Sequence, residues 1–330
     1  MNDPGLVLVT GGLGFIGRHL VQLLAAKGRR VRVLDTSSPG ERLNGDTEVI
    51  TGSILDEAVL AGAMKDVSVV YHLAAIPHLW QKDPDNFNRV NVDGTRKVVQ
   101  ASLATNIKKF IYTSSETVLR SWNSNNRQPV DESQPLPLPE DLPGPYSRSK
   151  LRAEQEVMKA VDQGLPAVVV YPTVPIGAGD HNLTPPTRMI RGFIEGKNPA
   201  YLECNLNMIP VKAVAQGHLA AEQKGKIGER YILGQQNLKM SEFLELLQKV
   251  SGAKMPGKKI PYTAALLSAR IMEKIARVNG KIPQASIEGV RLAKANLIFN
   301  TEKAARELGL KPQSLAQAIA ESVSWIRENG

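Results

Sequence analysis

The chain has 330 residues, room for about two domains of roughly 150 residues and for a core that needs no disulfide staples. Hydrophobic residues make up 42% and charged residues 22%, which excludes a disordered or fibrous protein, and the single cysteine, Cys204, excludes an internal disulfide or a thiolate metal cluster. The formal net charge is +9, a balance that suits nucleic acid, a membrane surface or an anionic ligand, and the stretch from Lys254 to Lys303 carries much of it.

Short β-branched runs alternate with helical stretches through the first half. Residues 6–9, 30–34, 67–72, 109–112 and 167–171 read as buried parallel strands, each too short and too apolar for an amphipathic helix. Helical stretches at 16–27, 57–64, 87–104 and 146–162 separate them. This alternation predicts an α/β fold of the Rossmann type, a doubly wound parallel sheet. Residues 119–145 break the pattern with six prolines and read as a substrate-side loop. Beyond 177 helical stretches dominate, at 187–195, 213–222, 241–250, 261–278 and 314–328. The expected division is therefore a nucleotide-binding domain over 1–176 and a smaller, mainly helical substrate region over 177–330, with 226–240 returning to the main sheet.

Thr10-Gly11-Gly12-Leu13-Gly14-Phe15-Ile16-Gly17 follows the first strand and opens the first helix. Glycines at 11, 14 and 17 let the chain turn sharply, let backbone N–H groups approach a pyrophosphate and let helix and strand pack closely. Asp35 ends the second strand, where a carboxylate can accept hydrogen bonds from an adenosine ribose and repel a 2′-phosphate, favouring NAD over NADP. A helix or turn cap is the other use of an aspartate there.

Tyr146 and Lys150 stand four residues apart and share a helix face. An ammonium beside a phenol favours tyrosinate and lowers its pKa, so the pair can exchange a proton with a substrate hydroxyl. With T-G-x-x-G-x-x-G at Thr10 to Gly17 and Y-x-x-x-K at Tyr146 to Lys150, the chain resembles the extended short-chain dehydrogenases/reductases of the NAD-dependent epimerase/dehydratase type. Tyr71-His72-Leu73-Ala74-Ala75, Asn91-Val92-Asp93-Gly94-Thr95 and Tyr112-Thr113-Ser114-Ser115 are further blocks of that resemblance. It implies Ser115 as catalytic hydroxyl, Tyr146 as acid/base and Lys150 as its electrostatic partner. It further implies that Leu73 to Ala75, Thr113 and Tyr171 to Val174 line the cofactor, with Asn91 in an orienting role that an N-cap would explain equally well. Ser53 and Ile54 stand near the adenine position, where the family often carries an acidic residue.

Leu206 replaces the arginine that binds a diphosphate in the sugar-modifying members, and leucine offers a diphosphate no charged fork. The C-terminal half instead resembles the hopanoid-associated sugar epimerases and the 3β-hydroxysteroid dehydrogenase and dihydroflavonol reductase branch. The expected ligand is a small apolar alcohol or ketone, a sterol, triterpenoid or related ring system, walled by Trp80 and Trp122; a nucleotide-sugar 4-epimerase is the other enzymatic reading. Within residues 261–278, Leu267, Ile271, Ile275 and Val278 form an apolar stripe beside Arg270, Lys274 and Arg277. Such a stripe either packs under its own domain or lies on an anionic bilayer. A cytoplasmic homodimer with peripheral membrane contact is expected, without a bound metal or nucleic-acid partner.

Overall fold

The computed structural model describes residues 5–38, 46–121 and 128–329. In chain order, β1 (Leu6–Thr10), α1 (Phe15–Ala26), β2 (Val31–Asp35), β3 (Thr47–Thr51), α2 (Glu57–Met64) and β4 (Val67–His72) come first. A helix in three parts follows: α3 (Asp85–Phe87), a π-helical segment (Asn88–Asp93) and α4 (Gly94–Ala104). Then come β5 (Lys109–Thr113), α5 (Pro145–Val161), β6 (Ala167–Pro172), β7 (Val174–Ile176), α6 (Pro185–Ile194), β8 (Asn205–Pro210) and α7 (Val211–Lys224). The chain ends with β9 (Arg230–Leu233), β10 (Gln236–Lys239), α8 (Met240–Ser251), α9 (Tyr262–Asn279), α10 (Ile287–Ala295) and α11 (Leu315–Asn329).

Seven strands form one parallel sheet in the order β3-β2-β1-β4-β5-β6-β9. Its strands are apolar on both sides because both sides are covered. Leu8, Val70, Phe110, Tyr112 and Val169 pack under α2, α4 and α5, while their neighbours Val7, Val9, Val69, Ile111 and Val170 pack under α1 and α7. After β1 the chain runs outward to β2 and β3 and returns to β4 on the other side of β1. The carboxyl ends of β1 and β4 thus flank the switch point where such sheets bind ligands.

Three strands form a second sheet, β10-β8-β7, backed by α6, α8 and α11 over a core that includes Phe243, Leu247, Ile319 and Val323. The stretch 226–240 splits between the sheets: β9 pairs with β6, and β10 with β8. Packing also returns α7 to the main sheet, so the chain crosses between the two lobes more often than a division at 176/177 implies.

Candidate active site

A cleft of about 710 Å³ runs from the loop after β1 across the ends of β4, β5 and β6 to α6 and α10. Gly11, Gly14, Phe15, Ile16 and Gly17 line one end of it. Gly11 has φ +70°, a conformation that costs other residues strain, and a Cβ there would lie 2.7 Å from the Ala74 nitrogen. A Cβ on Gly17 would collide with the Gly11 carbonyl, whereas one on Gly14 meets only that carbonyl, at 3.2 Å. The first turn of α1 carries neither a side-chain cap nor an acidic residue. Its positive end therefore faces the cleft uncompensated, as an anion site requires. These features fit a dinucleotide pyrophosphate.

Asp35 lines the same end with Ser53 and Ile54. Its two carboxylate oxygens accept from Leu13 N and Ser37 N, both at 3.0 Å, so it ties the glycine loop to β2. Each oxygen keeps a lone pair for a ribose hydroxyl. Ser53 Oγ accepts from Leu55 N at 3.1 Å. Leu73, Ala74 and Ala75 form the opposite wall, held by Leu73 N on the Thr10 carbonyl at 3.0 Å and Ala74 N on Thr10 Oγ1 at 3.3 Å.

From that wall a directed chain of hydrogen bonds runs toward α5. Thr95 Oγ1 donates to the Asn91 carbonyl at 2.6 Å, so it accepts from His72 Nε2 at 2.9 Å, and His72 Nδ1 in turn accepts from the Thr10 hydroxyl at 2.7 Å. The ring is neutral; burial, helped by the charge of Lys150, pulls it down to about 3. Asn91 Oδ1 accepts from Ile76 N at 2.8 Å, its Nδ2 donates to Ser149 Oγ at 2.9 Å, and Ser149 donates to the Tyr146 carbonyl at 2.7 Å. Asn91 is therefore buried within the π-helical segment, off the cleft wall and not at a helix N-cap. It couples the loop after β4 to the helix of Tyr146.

Thr113, Ser115, Tyr146, Lys150 and Val174 meet at the middle of the cleft. Ser115 caps a 3₁₀ turn, Glu116–Leu119, its Oγ accepting from Thr117 N at 3.3 Å and from Thr117 Oγ1 at 3.1 Å, and its hydroxyl lies near enough to the Tyr146 phenol to hold that group's pKa down. Lys150 Nζ donates to the Thr113 carbonyl at 2.7 Å and lies 4.7 Å from the Tyr112 ring centroid. Burial pulls Lys150 down to about 7, against the opposing charge of Glu154. The expected lowering of the phenol is reversed here. Burial, with Glu288 and Glu116 adding to it, pushes Tyr146 up to about 12, and the Ser115 hydroxyl only partly offsets this. Lys150 is turned toward the Thr113 carbonyl, so its charge is not spent on Tyr146.

Tyr171, expected on the cleft wall, faces the α5 side of the sheet instead, where its hydroxyl donates to Glu154 at 2.6 Å. Its successors Pro172 to Pro175 supply the wall. Glu154, fully buried, also accepts from Ser114 Oγ at 2.8 Å and Arg230 at 2.9 Å, fixing α5 to β5 and β9. Trp80 is buried away from the cleft and Leu79 takes its place on the wall, while Trp122 lies outside the described residues.

Two groups at the site were not foreseen from the sequence. Glu288 reaches from α10 to the start of α5, where it accepts from Tyr146 N at 3.0 Å, Ser147 N at 2.8 Å and Ser147 Oγ at 2.5 Å. Burial pushes this carboxyl up to about 6 although all three hydrogen bonds hold it down. Glu116 and Arg120 form a buried ion pair on the cleft wall; Arg120 also donates to the Leu292 carbonyl at 3.3 Å and lies 5.1 Å from the Phe299 ring centroid. Their four-residue spacing is visible in the sequence, but their burial is not.

Residues 7–234 match the NAD dependent epimerase/dehydratase family. A protein of Synechocystis sp. that carries the provisional name dihydroflavonol 4-reductase is 36% identical over 98% of this chain and 94% of its own length. Sterol demethylase protein B of Methylococcus capsulatus is 28% identical over 98% of both chains. Among solved structures, gox2253 superposes with a TM-score of 0.84 at 35% identity, covering 100% of this chain and 99% of that one.

Proposed function

The chain belongs to the NAD-dependent epimerase/dehydratase family, and from that premise we propose that it moves a hydride between nicotinamide and a secondary alcohol or ketone of an apolar, ring-bearing substrate. A sterol or triterpenoid is the class that fits. In this reading Gly11, Gly14, Phe15 and Ile16 hold the pyrophosphate, Asp35 the adenosine ribose, and Lys150 and Val174 the nicotinamide half. Bound NAD supplies the hydride acceptor or donor and, when oxidised, a cationic ring that favours tyrosinate. Ser115 holds the substrate oxygen, and the neighbouring Tyr146 phenol passes it a proton or takes one away.

The observation that carries the substrate class is the wall beyond Ser115. Its apolar members are Leu79, Met189, Cys204, Leu206, Met240 and Leu292, and Asn182, Thr184 and Asn205 are uncharged polar members of the same lining. Among the described residues, Lys150 and Arg120 are the cations that line the cleft; the Thr113 carbonyl holds Lys150 at the nicotinamide end, and Arg120 is paired with Glu116. A nucleotide diphosphate would have to shed its hydration without a free fork to replace it. Sterol demethylase protein B, similar over nearly its whole length, supports the same direction.

Two measurements test the proposal. Tyr146→Phe should abolish turnover and leave NAD affinity within about threefold, because it deletes one transferable proton and little packing surface. Calorimetry on the NAD-loaded enzyme should show hydroxysteroids or triterpenoid alcohols binding; micromolar binding of UDP-glucose or UDP-galactose with none of the ring alcohols overturns the reading in favour of a nucleotide-sugar 4-epimerase.

A further inference from the structure

Helix α9 is anchored on one face and bare on the other. Ala265, Ala269 and Ala276 are buried, the first two against Val290 of α10. On the opposite side Leu267 is 59% exposed, Ile271 52%, Ile275 56% and Val278 87%, with Ile282 at 42% just beyond the helix. At 3.6 residues per turn the four helical positions fall within an arc of roughly 80°, centred away from the alanines. Elsewhere among the described residues only Leu138, Ile227 and Ile298 are large, apolar and comparably exposed. Scattered single residues of that kind are ordinary on a protein surface; a contiguous stripe is not. Packing under its own domain, one of the two uses that the sequence left open, is excluded by this exposure.

The stripe has a charged edge. Arg270, Lys274 and Arg277 follow one side of it and Lys281 comes after the helix; all four are exposed. The one carboxylate of α9, Glu273, points the other way and accepts from Ile287 N at 2.7 Å, at the start of α10. Apolar side chains edged by long cations match the boundary of an anionic bilayer, where the stripe enters the acyl region and the ammonium and guanidinium groups stay level with the phosphates. A second copy packed antiparallel on the stripe would bring the same cations against them, a like-charge contact that costs association. No helix among the described residues is long and apolar enough to cross a membrane, so a contact of this kind is made from one side.

We propose that α9 is a membrane-docking helix that seats the protein on an anionic bilayer. Its partner α10 contributes Gly289, Leu292 and Ala293 to the wall of the cleft, so docking brings lipid next to the substrate end of the site. Docking through α9 does not depend on which substrate the cleft takes.

Co-sedimentation of the NAD-loaded full chain with lipid vesicles tests it. Binding is expected to phosphatidylcholine vesicles containing phosphatidylglycerol, to weaken with added salt, and to be slight on phosphatidylcholine alone. Each basic residue at the surface contributes about fivefold, so Arg270→Gln with Lys274→Gln should lower partitioning roughly 25-fold. Ile271→Ser with Ile275→Ser should abolish it. Both pairs are exposed, so the melting temperature and NAD affinity should stay at wild-type values and report a folded protein. Absence of wild-type binding, or variants that bind as well as wild type, overturns the proposal. So does a dimer, seen by light scattering, that Ile271→Ser with Ile275→Ser dissociates while vesicles remain unbound.

Discussion

Replacing Glu288 by glutamine probes how α5 is aimed. The carboxylate accepts three hydrogen bonds at the helix that carries Tyr146 and is 3% exposed. Glutamine keeps the volume, and its oxygen can serve Ser147 N and Oγ, but its amide then faces Tyr146 N, donor against donor. One charge-assisted hydrogen bond, about 1.5–3 kcal/mol, is lost together with the favourable charge at the helix N-terminus, up to ~2 kcal/mol. Against this, the variant no longer buries a charge; since the rise of the carboxyl to about 6 from its ordinary 4.5 is already net of its hydrogen bonds, that relief is at least about 2 kcal/mol at neutral pH. The net expectation is a destabilisation of at most about 3 kcal/mol. The pH signs separate stability from activity. Because the folded pKa is raised, the stabilisation tied to the protonated carboxyl is complete below the unfolded value and is lost as pH rises through about 6. Turnover should go the opposite way and rise through the same range, since only the ionised group can accept from all three donors. In Glu288→Gln that acid limb should vanish and kcat fall about ten- to a hundredfold, the scale of misplacing a reacting group by about 1 Å, with little change in NAD affinity. The alkaline limb should also move to lower pH, because one of the two carboxylates that raise the Tyr146 phenol is gone. Stopped-flow pH profiles with parallel thermal melts measure all of this. An unchanged acid limb with an unchanged kcat would refute the aiming role.

Asp35→Asn keeps an acceptor for one backbone N–H but loses the charge, and should narrow the preference for NAD over NADP; fluorescence titration of both reduced cofactors checks it, and equal binding of the two by the wild type contradicts the premise. Arg120→Met leaves the buried Glu116 carboxylate uncompensated and should cost about 3–5 kcal/mol in urea unfolding, most of it recovered by Glu116→Gln in the same chain. Equal losses in the single and double variants would show that the pair itself is not what stabilises the site.

The centre of the fold was legible because the strands buried on both faces are unbroken apolar runs, a pattern that needs no partner to be read. β3 escaped that reading: it lies at the sheet edge, and Thr-Glu-Val-Ile-Thr is only half covered. The second sheet was hidden for another reason. Its strands are short, and β8 carries polar Asn205 and Asn207 that pair with residues some thirty positions away. At the site, the spacing of Tyr146 and Lys150 and the family resemblance that named Ser115 picked out three residues that line one cleft, but not the direction of each side chain. Asn91 and Tyr171 sit beside the cleft residues in sequence and turn away from them in space, drawn off by Ser149 and Glu154. Glu288 has no signal at all within its own segment, because its partners lie 141 and 142 residues earlier.

That long-range contact also bears on how such a protein can diverge. The lobe that carries the apolar part of the cleft wall contributes the carboxylate that seats the helix of Tyr146, and Arg120 fastens the same α10 to the loop after Ser115. Under the proposed function, specificity and turnover are then not separable modules in this architecture. Grafting the C-terminal lobe of one relative onto the sheet of another would transplant a pocket and misalign a tyrosine in one stroke, unless the carboxylate and its two-residue seat at 146–147 travel together. Substrate change in this lineage should proceed by substitutions along the cleft wall, with the 146–147 to 288 joint held fixed.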